Sequence, residues 1–145
     1  MKFGVLVFPG GHGDLDLKHV MQQHFDVDAG EIWYTDPFPS TLEVLMIPGG
    51  FPCNSPMEGY ECLPENGAIN RLKSFAGSGG RVVGFGNGFR LLCESGLLPG
   101  RMDANRSGTF IGRQVFIKPE NVHIGLTSQL DPGRAYRIPV ATYCG

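Results

Sequence analysis

The residues best placed to do chemistry lie in the turn Gly84-Phe85-Gly86-Asn87-Gly88. An apolar strand pattern precedes this turn and an apolar helical pattern follows it, which is the order of elements in a nucleophile elbow. Such an elbow holds Ser or Cys at its centre, on a strained turn at the carboxyl end of a sheet. Here the centre is Gly86, which has no side chain. The sequence therefore predicts the architecture of an acyl-transfer site with a vacant nucleophile position.

Backbone groups could complete such a site without any catalytic side chain. In acyl-transfer enzymes the oxyanion hole uses the N–H of the residue after the nucleophile and an N–H from a turn that follows another strand. Asn87 follows the vacant position, and a second glycine-rich turn follows the apolar segment 44–47. The backbone residues that we expect at this pocket are Gly49, Gly50, Phe51, Asn87 and Gly88.

Four other residues are candidates for the same pocket. Gly11 and His12 follow the first apolar segment, Cys53 lies three residues after Gly50, and Arg90 lies in the helix after the elbow. The carboxyl ends of parallel strands meet at one edge of a sheet, so the three glycine-rich turns are expected to rim one pocket. The alternative is that these glycines only end the strands, which is a common use of glycine.

Other chemistries have weaker support in the sequence. Cys53 or Cys62 could act as a nucleophile, but a reactive thiolate needs a positive neighbour or a helix N-terminus, and the sequence places no base near either. Cys93 lies on the elbow helix in a stretch that resembles a segment of the family named below, and this resemblance implies that it is a core residue. The four cysteines form no C-x-x-C pair, so neither a metal nor a cofactor is expected. A dinucleotide fingerprint fails because Phe89 stands at its third glycine position.

The elements that must position these residues alternate between strand and helix. This alternation predicts an α/β fold with a doubly wound, mostly parallel sheet and helices on both faces, as in flavodoxin-like proteins. Asp14 or Asp16 is expected to cap the first helix. Strands are predicted at 3–8, 31–35, 44–47 and 81–85, helices at 15–25, 68–76 and from the elbow to 94, and further extended segments at 109–117 and 136–141.

Length and composition limit the classes of function. The chain has 145 residues, 41% of them hydrophobic and 18% charged, which favours a single globular domain over residues 1–145. A net charge of -2 gives no reason to expect nucleic acid as a partner, and no apolar run is long enough to predict a membrane span. Without a secretory signal, reduced thiols and a cytoplasmic location are expected.

Several segments carry a resemblance to a known family. MKFGVLVFPG, LMIPGGF, GAI, GFGNGFRLLCESGLLPG, NRS and YRIPVA occur in that order. They resemble the glutaminase subunit of phosphoribosylformylglycinamidine synthase, a member of the triad (class I) glutamine amidotransferases. The resemblance implies a class I glutamine amidotransferase-like fold, a role in purine biosynthesis and a large ATP-dependent synthetase subunit as partner.

The departures from that family concentrate at its catalytic groups. The family elbow reads G-[IV]-C-N-G-F-Q, so Gly86 stands in place of the cysteine and Arg90 in place of the glutamine. The family's H-P-E motif lies beyond residue 145, and no histidine of this chain has a matching context. The comparison therefore implies that the catalytic triad is absent, that the C-terminal part of the fold is missing and that glutaminase activity is lost.

These observations favour one functional hypothesis and leave others open. The first is a catalytically incompetent homologue of the glutaminase subunit that binds a protein, either the synthetase large subunit or a second copy of itself. The second is an enzyme with changed chemistry that uses Cys53, Cys62 or His12 in the old glutamine pocket. The third is a module that binds a small molecule such as glutamine. A fragment or an altered form of an active subunit is a fourth.

Overall fold

The computed structural model describes residues 2–50, 67–122, 125 and 127–142. The chain divides into two compact units, Met1–Asp103 and Ala104–Gly145. The first unit contains the elbow and is an α/β layer. The second is built on a β-hairpin. The prediction of a single domain over the whole chain stays a prediction.

The first unit is organised around a sheet of four parallel strands. These are β1 (Phe3–Val7), β2 (Ala29–Trp33), β3 (Val44–Ile47) and β4 (Arg81–Gly84), and they lie in the order β2-β1-β3-β4. The chain adds β2 on one side of β1 and β3 on the other, so the connections change direction between β1 and β3. In open α/β sheets such a switch point is where ligands bind, beyond the carboxyl ends of the strands.

The register of the sheet aligns the amino ends of its strands. Phe3 in β1 lies opposite Ala29 in β2 and Val44 in β3, and Val44 lies opposite Arg81 in β4. The strands are therefore in step, and their carboxyl ends finish at one edge. The second strand starts two residues earlier than predicted, because its pairing with β1 begins at Ala29 and ends at Trp33.

In the described part of the first unit, three helices accompany the sheet: α1 (Gly13–Phe25), α2 (Ala68–Gly77) and α3 (Asn87–Glu94). The first begins two residues before the predicted start. Its N-cap is His12, which makes no side-chain capping hydrogen bond. Asp14 and Asp16 therefore lie in the first turn rather than at the cap, where their charge still favours the positive end of the helix dipole.

Both faces of the sheet are covered, which confirms the predicted fold class. Helices α2 and α3 supply Leu72, Leu91 and Leu92 to one buried cluster, with strand residues such as Leu45. Helix α1 covers the other face through Leu17 and Met21. Strand β3 is buried along its whole length, because it lies inside the sheet with hydrophobic side chains on both faces.

The second unit contains an antiparallel hairpin of β5 (Ile111–Ile117) and β6 (Tyr136–Thr142). Asn105 ties its open end, because Nδ2 donates hydrogen bonds to the carbonyl oxygens of Thr109 at 2.9 Å and Thr142 at 3.0 Å. None of the described residues of this unit is buried. In the part of the chain that is described, no helix combines the length and apolar character needed to cross a membrane.

Candidate functional site

The elbow is a sharp strand-to-helix turn centred on Gly86, which the sequence predicts to be a vacant nucleophile position. Beyond the end of β4, the N–H of Phe85 still donates to the carbonyl of Ile47 at 2.9 Å. Gly86 then turns the chain with φ 54° and ψ −118°, and α3 starts at the next residue. A positive φ of this kind favours glycine, because a β-carbon is strained there.

Two other glycines of the elbow allow the helix to approach the sheet closely. A methyl group at Gly84 would lie 2.6 Å from the backbone of Gly88. A methyl group at Gly88 would overlap the carbonyl oxygen of Ile47. Helix α3 therefore starts directly against the end of β3. The N–H of Gly88 is engaged inside the turn, where it donates to Phe85 O at 2.8 Å, and Arg90 N donates to Gly86 O at 3.1 Å.

The turn after β3 touches the elbow. A β-carbon on Gly49 would lie 3.2 Å from Phe85 O, and one on Gly86 would lie 3.4 Å from Gly49 Cα. The contact at Gly86 is at the limit of ordinary van der Waals distance, so the position has room for a β-carbon. Its backbone conformation, rather than crowding, is what opposes a side chain there.

The turn after β1 is the third glycine-rich turn, and it contacts the turn after β3. A methyl group at Gly13 would lie 2.7 Å from Gly49 O. Gly50 has a φ of 78°, and a β-carbon added to it would lie 3.4 Å from the nitrogen of Gly13 and 3.7 Å from that of His12. Gly11 closes the same turn by donating to Phe8 O at 3.0 Å. The structure thus brings the three glycine-rich turns together at the carboxyl edge of the sheet, at its switch point.

Arg90 is held along the elbow helix by an ion pair. Its Nε lies 2.6 Å from Oε1 of Glu94, one turn further on, and Arg90 is buried. The guanidinium favours the charged form of the carboxyl group, whereas burial disfavours it. Burial is the stronger effect and raises the pKa of Glu94.

Sequence reasoning missed three residues in or beside the glycine-rich turns. Phe85 and Phe89 flank the elbow and are 47% and 41% exposed, so aromatic surface adjoins Gly86. The alternation of Phe with Gly in this turn was the available signal. Asp14 lies next to Gly13, and its Oδ1 is buried without a hydrogen-bond partner among the described residues. The sequence suggested that Asp14 is a helix cap and gave no sign of this burial.

Of the cysteines considered in the sequence analysis, the structure describes Cys93. Phe51, Cys53 and Cys62 lie outside the described residues. Cys93 is buried as predicted, and burial raises the pKa of its thiol, which disfavours the reactive thiolate. Within residues 2–50, 67–122 and the described positions beyond, no three His, Cys, Asp or Glu side chains are grouped to hold a metal ion.

Comparisons with known proteins identify relatives along nearly the whole chain. "Phosphoribosylformylglycinamidine synthase subunit PurQ" of Salinibacter ruber is 35% identical over 97% of this chain and 60% of that protein. The subunit with the same description from Alkaliphilus metalliredigens is 30% identical over 97% of this chain and 62% of that protein. The chain therefore spans about three fifths of the length of these relatives. No protein-family model matches it.

A solved structure has the same fold. It is described as "Structure of PurLQS from Thermotoga maritima", and one of its chains superposes with a TM-score of 0.80 and 29% sequence identity. The match covers 100% of this chain and 68% of that chain. Sequence and structure thus agree on the same relatives.

Proposed function

We propose that this chain, which is similar to the PurQ subunits of phosphoribosylformylglycinamidine synthase, is a non-catalytic, cytoplasmic counterpart of such a subunit. It binds a protein partner in purine biosynthesis or in a related amidation pathway. It does not hydrolyse glutamine. The proposed partner is a synthetase large subunit or a second copy of this chain, and the first is supported by the related structure described as "Structure of PurLQS from Thermotoga maritima".

One observation carries the proposal. Gly86 retains φ 54° and ψ −118° between β4 and α3, but it offers no atom that could attack an acyl carbon. A strained backbone of this kind usually costs about 1 to 3 kcal/mol for a residue with a β-carbon. Glycine removes that strain and leaves the turn in place, as expected if the architecture was kept and the chemistry lost.

A second departure at the same site points in the same direction. The resemblance places glutamine at position 90, where this chain has Arg90. That side chain is buried in an ion pair with Glu94. At this position the neutral amide of the family, which could face a ligand, is replaced by a guanidinium group that pairs with Glu94 on the same helix.

Ammonia release from glutamine by the purified protein tests the catalytic part of the proposal. The expected rate equals the background without protein. The matched control is a PurQ subunit that has cysteine at the elbow position and releases ammonia from glutamine, together with its variant in which that cysteine is replaced by glycine, which should fall to the same background. Release by this chain at the rate of the active subunit would refute the proposal.

Mixing with the synthetase large subunit of its own organism tests the partner part. Co-elution as one complex in size-exclusion chromatography is expected, with the mass measured by light scattering. If the two proteins elute separately at micromolar concentration, the proposed partner is wrong even if glutaminase activity is absent.

A second function is favoured by the surface around Gly86. The vacant position has room for additional atoms, and Phe85 and Phe89 leave aromatic surface beside it. A small ligand such as glutamine could therefore be retained without being hydrolysed. Calorimetric titration with glutamine tests this function, and Gly86→Leu is the informative variant. Glutamine binding that this variant abolishes supports retention, whereas no heat with the unaltered protein excludes it.

A further inference from the structure

A cavity far from the elbow lies between α2 and the segment that connects β2 to β3. Its volume is about 880 Å³, within the range of small-molecule sites. The lining includes Glu43 and Arg81, which stand at the amino ends of β3 and β4. The cavity therefore lies toward the opposite edge of the sheet from the glycine turns. Neither the elbow nor its proposed function accounts for it.

The apolar part of the lining is aromatic and anchored. Phe38 and Phe75 meet edge to face, with ring centroids 5.7 Å apart and planes at 84°. Both rings, together with Leu42, pack against the buried core. The ring of Phe75 lies so close to Gly80 that a methyl group there would overlap it. These side chains form an apolar surface against which a flat aromatic ring can pack.

The charged part of the lining is mainly cationic. Arg71 is half-buried, and its Nη2 donates to the carbonyl of Tyr34 at 2.5 Å, which holds the guanidinium beside the connecting segment. Arg81 is exposed at the rim and forms no ion pair with any described residue. Among the described residues that line the cavity, Glu43 is the one with a carboxylate.

The backbone at this end is already hydrogen-bonded. Gly79 N donates to Ala76 O at 3.1 Å, and Gly80 N donates to Phe75 O at 3.0 Å. The hydroxyl of Ser78 also donates to Phe75 O, at 2.8 Å. The carbonyls of Phe75 and Ala76, in the last turn of α2, thus accept hydrogen bonds from within the chain. A ligand in the cavity has to be recognised by side chains, and the two guanidinium groups are the strongest of these.

From these contacts we propose that the cavity is a binding site for a small aromatic anion. The ring of the ligand packs on Phe38 and Phe75, and its anionic group faces Arg81, with Arg71 contributing positive potential. The site is separate from the elbow. Ligand binding at this cavity can therefore be tested separately from glutamine hydrolysis and from binding of a partner subunit.

Calorimetric titration with naphthoate tests the proposal, with naphthamide and cyclohexanecarboxylate as the comparison ligands. Naphthoate has both the ring and the charge, and each comparison ligand lacks one of them. We expect naphthoate to bind at millimolar concentration and each comparison ligand to bind about fivefold more weakly, since one exposed charge pair or ring contact is worth about 1 kcal/mol. Equal affinity for all three ligands, or no binding of naphthoate, would overturn the proposal.

Three substitutions on the rim should change the affinity for naphthoate in different directions, two lowering it and one raising it. Arg81→Gln removes the anion's partner and should weaken naphthoate binding about fivefold. Ser74→Glu adds a negative charge on the cavity side of α2 and should also weaken it. Glu43→Gln removes the opposing carboxylate and should strengthen binding about twofold. All three residues line the cavity, and Ser74 and Arg81 are exposed, so folding should be preserved.

Arg101→Gln is the matched control, because Arg101 is equally cationic and exposed but pairs with Asp103 outside the cavity. The Arg101→Gln variant should bind naphthoate with the same affinity as the unaltered protein. If Arg101→Gln weakens binding as much as Arg81→Gln, the ligand responds only to overall charge and the site is refuted. The same conclusion follows if Ser74→Glu and Glu43→Gln change affinity in the same direction.

Discussion

The elbow and the β5–β6 hairpin show two different ways in which backbone geometry is fixed. At the elbow, the positions of Gly84 and Gly88 are so close to neighbouring backbone that neither tolerates a β-carbon, and the following helix is largely buried. In the hairpin, no described residue is buried, and Phe116 is 71% exposed. The elbow is specified by packing inside its own unit. The hairpin is held by its ladder and by a few polar contacts.

This difference bears on function. A turn fixed by close packing can lose its catalytic side chain and keep its shape, since no part of its geometry depended on that side chain. An isolated two-stranded hairpin is at best marginally stable in water. The lesson is that the elbow can persist without its chemistry, whereas the hairpin needs support from outside its own two strands.

The strongest test of the comparison is Gly88→Ala. The added methyl group overlaps the carbonyl of Ile47, and that backbone cannot move without disturbing the centre of the sheet. We expect a loss of more than about 3 kcal/mol in the free energy of unfolding, measured by urea denaturation. Gly77→Ala, in α2, is the control because its methyl group meets nothing within 4 Å. That variant should be more stable by about 0.5 to 1 kcal/mol. Equal effects of the two substitutions would show that the elbow is not fixed by close packing.

Gly86→Ala should have a smaller effect at the same turn. Its methyl group has room at 3.4 Å from Gly49 Cα, so only the strain of φ 54° opposes it. The expected loss is about 1 to 2 kcal/mol by the same measurement. A loss as large as that of Gly88→Ala would mean that crowding, rather than backbone conformation, explains glycine at the vacant nucleophile position.

The sequence predicted most of the elements and little of their contacts. Hydrophobic runs ended by Pro-Gly located β1 and β3, because fully buried parallel strands read as continuous apolar segments. The start of β2 was predicted two residues late, since Trp33 and Tyr34 favour a strand locally but pairing with β1 decides the boundary. The sequence predicted that the turns at Gly49 and Gly86 meet at one edge of the sheet, but it could not predict how closely they approach, because the distance depends on how two crossovers place the turns. The cavity beside α2 gave no motif, since its lining comes from three separate segments.

Burial of Glu94 on the elbow helix makes the free energy of unfolding depend on pH. Burial raises the pKa of Glu94 above its ordinary value of 4.5, so the folded state binds a proton more readily than the unfolded chain. The stabilisation linked to this proton is full below the ordinary pKa and is lost as pH rises through the raised pKa. Relative to Glu94→Gln, which cannot titrate, the unaltered protein should therefore become less stable between about pH 4 and about pH 7. Urea denaturation at both pH values measures this, and a gain over the same interval would contradict the assignment.

The smallest expected effect belongs to the hairpin, at Phe116→Ser. Phe116 pairs across the ladder with Arg137, and its ring is largely exposed, so removing it takes little apolar surface out of contact. The free energy of unfolding should change by less than about 0.5 kcal/mol, as for other exposed positions. Leu45→Ala in the buried sheet is the contrasting variant, with an expected loss of about 2 to 5 kcal/mol. A loss above about 1 kcal/mol at Phe116 would mean that its ring is covered in solution, since only buried apolar surface contributes that much. Because association is concentration-dependent, repeating the measurement at higher protein concentration distinguishes cover by a second copy from cover within the chain.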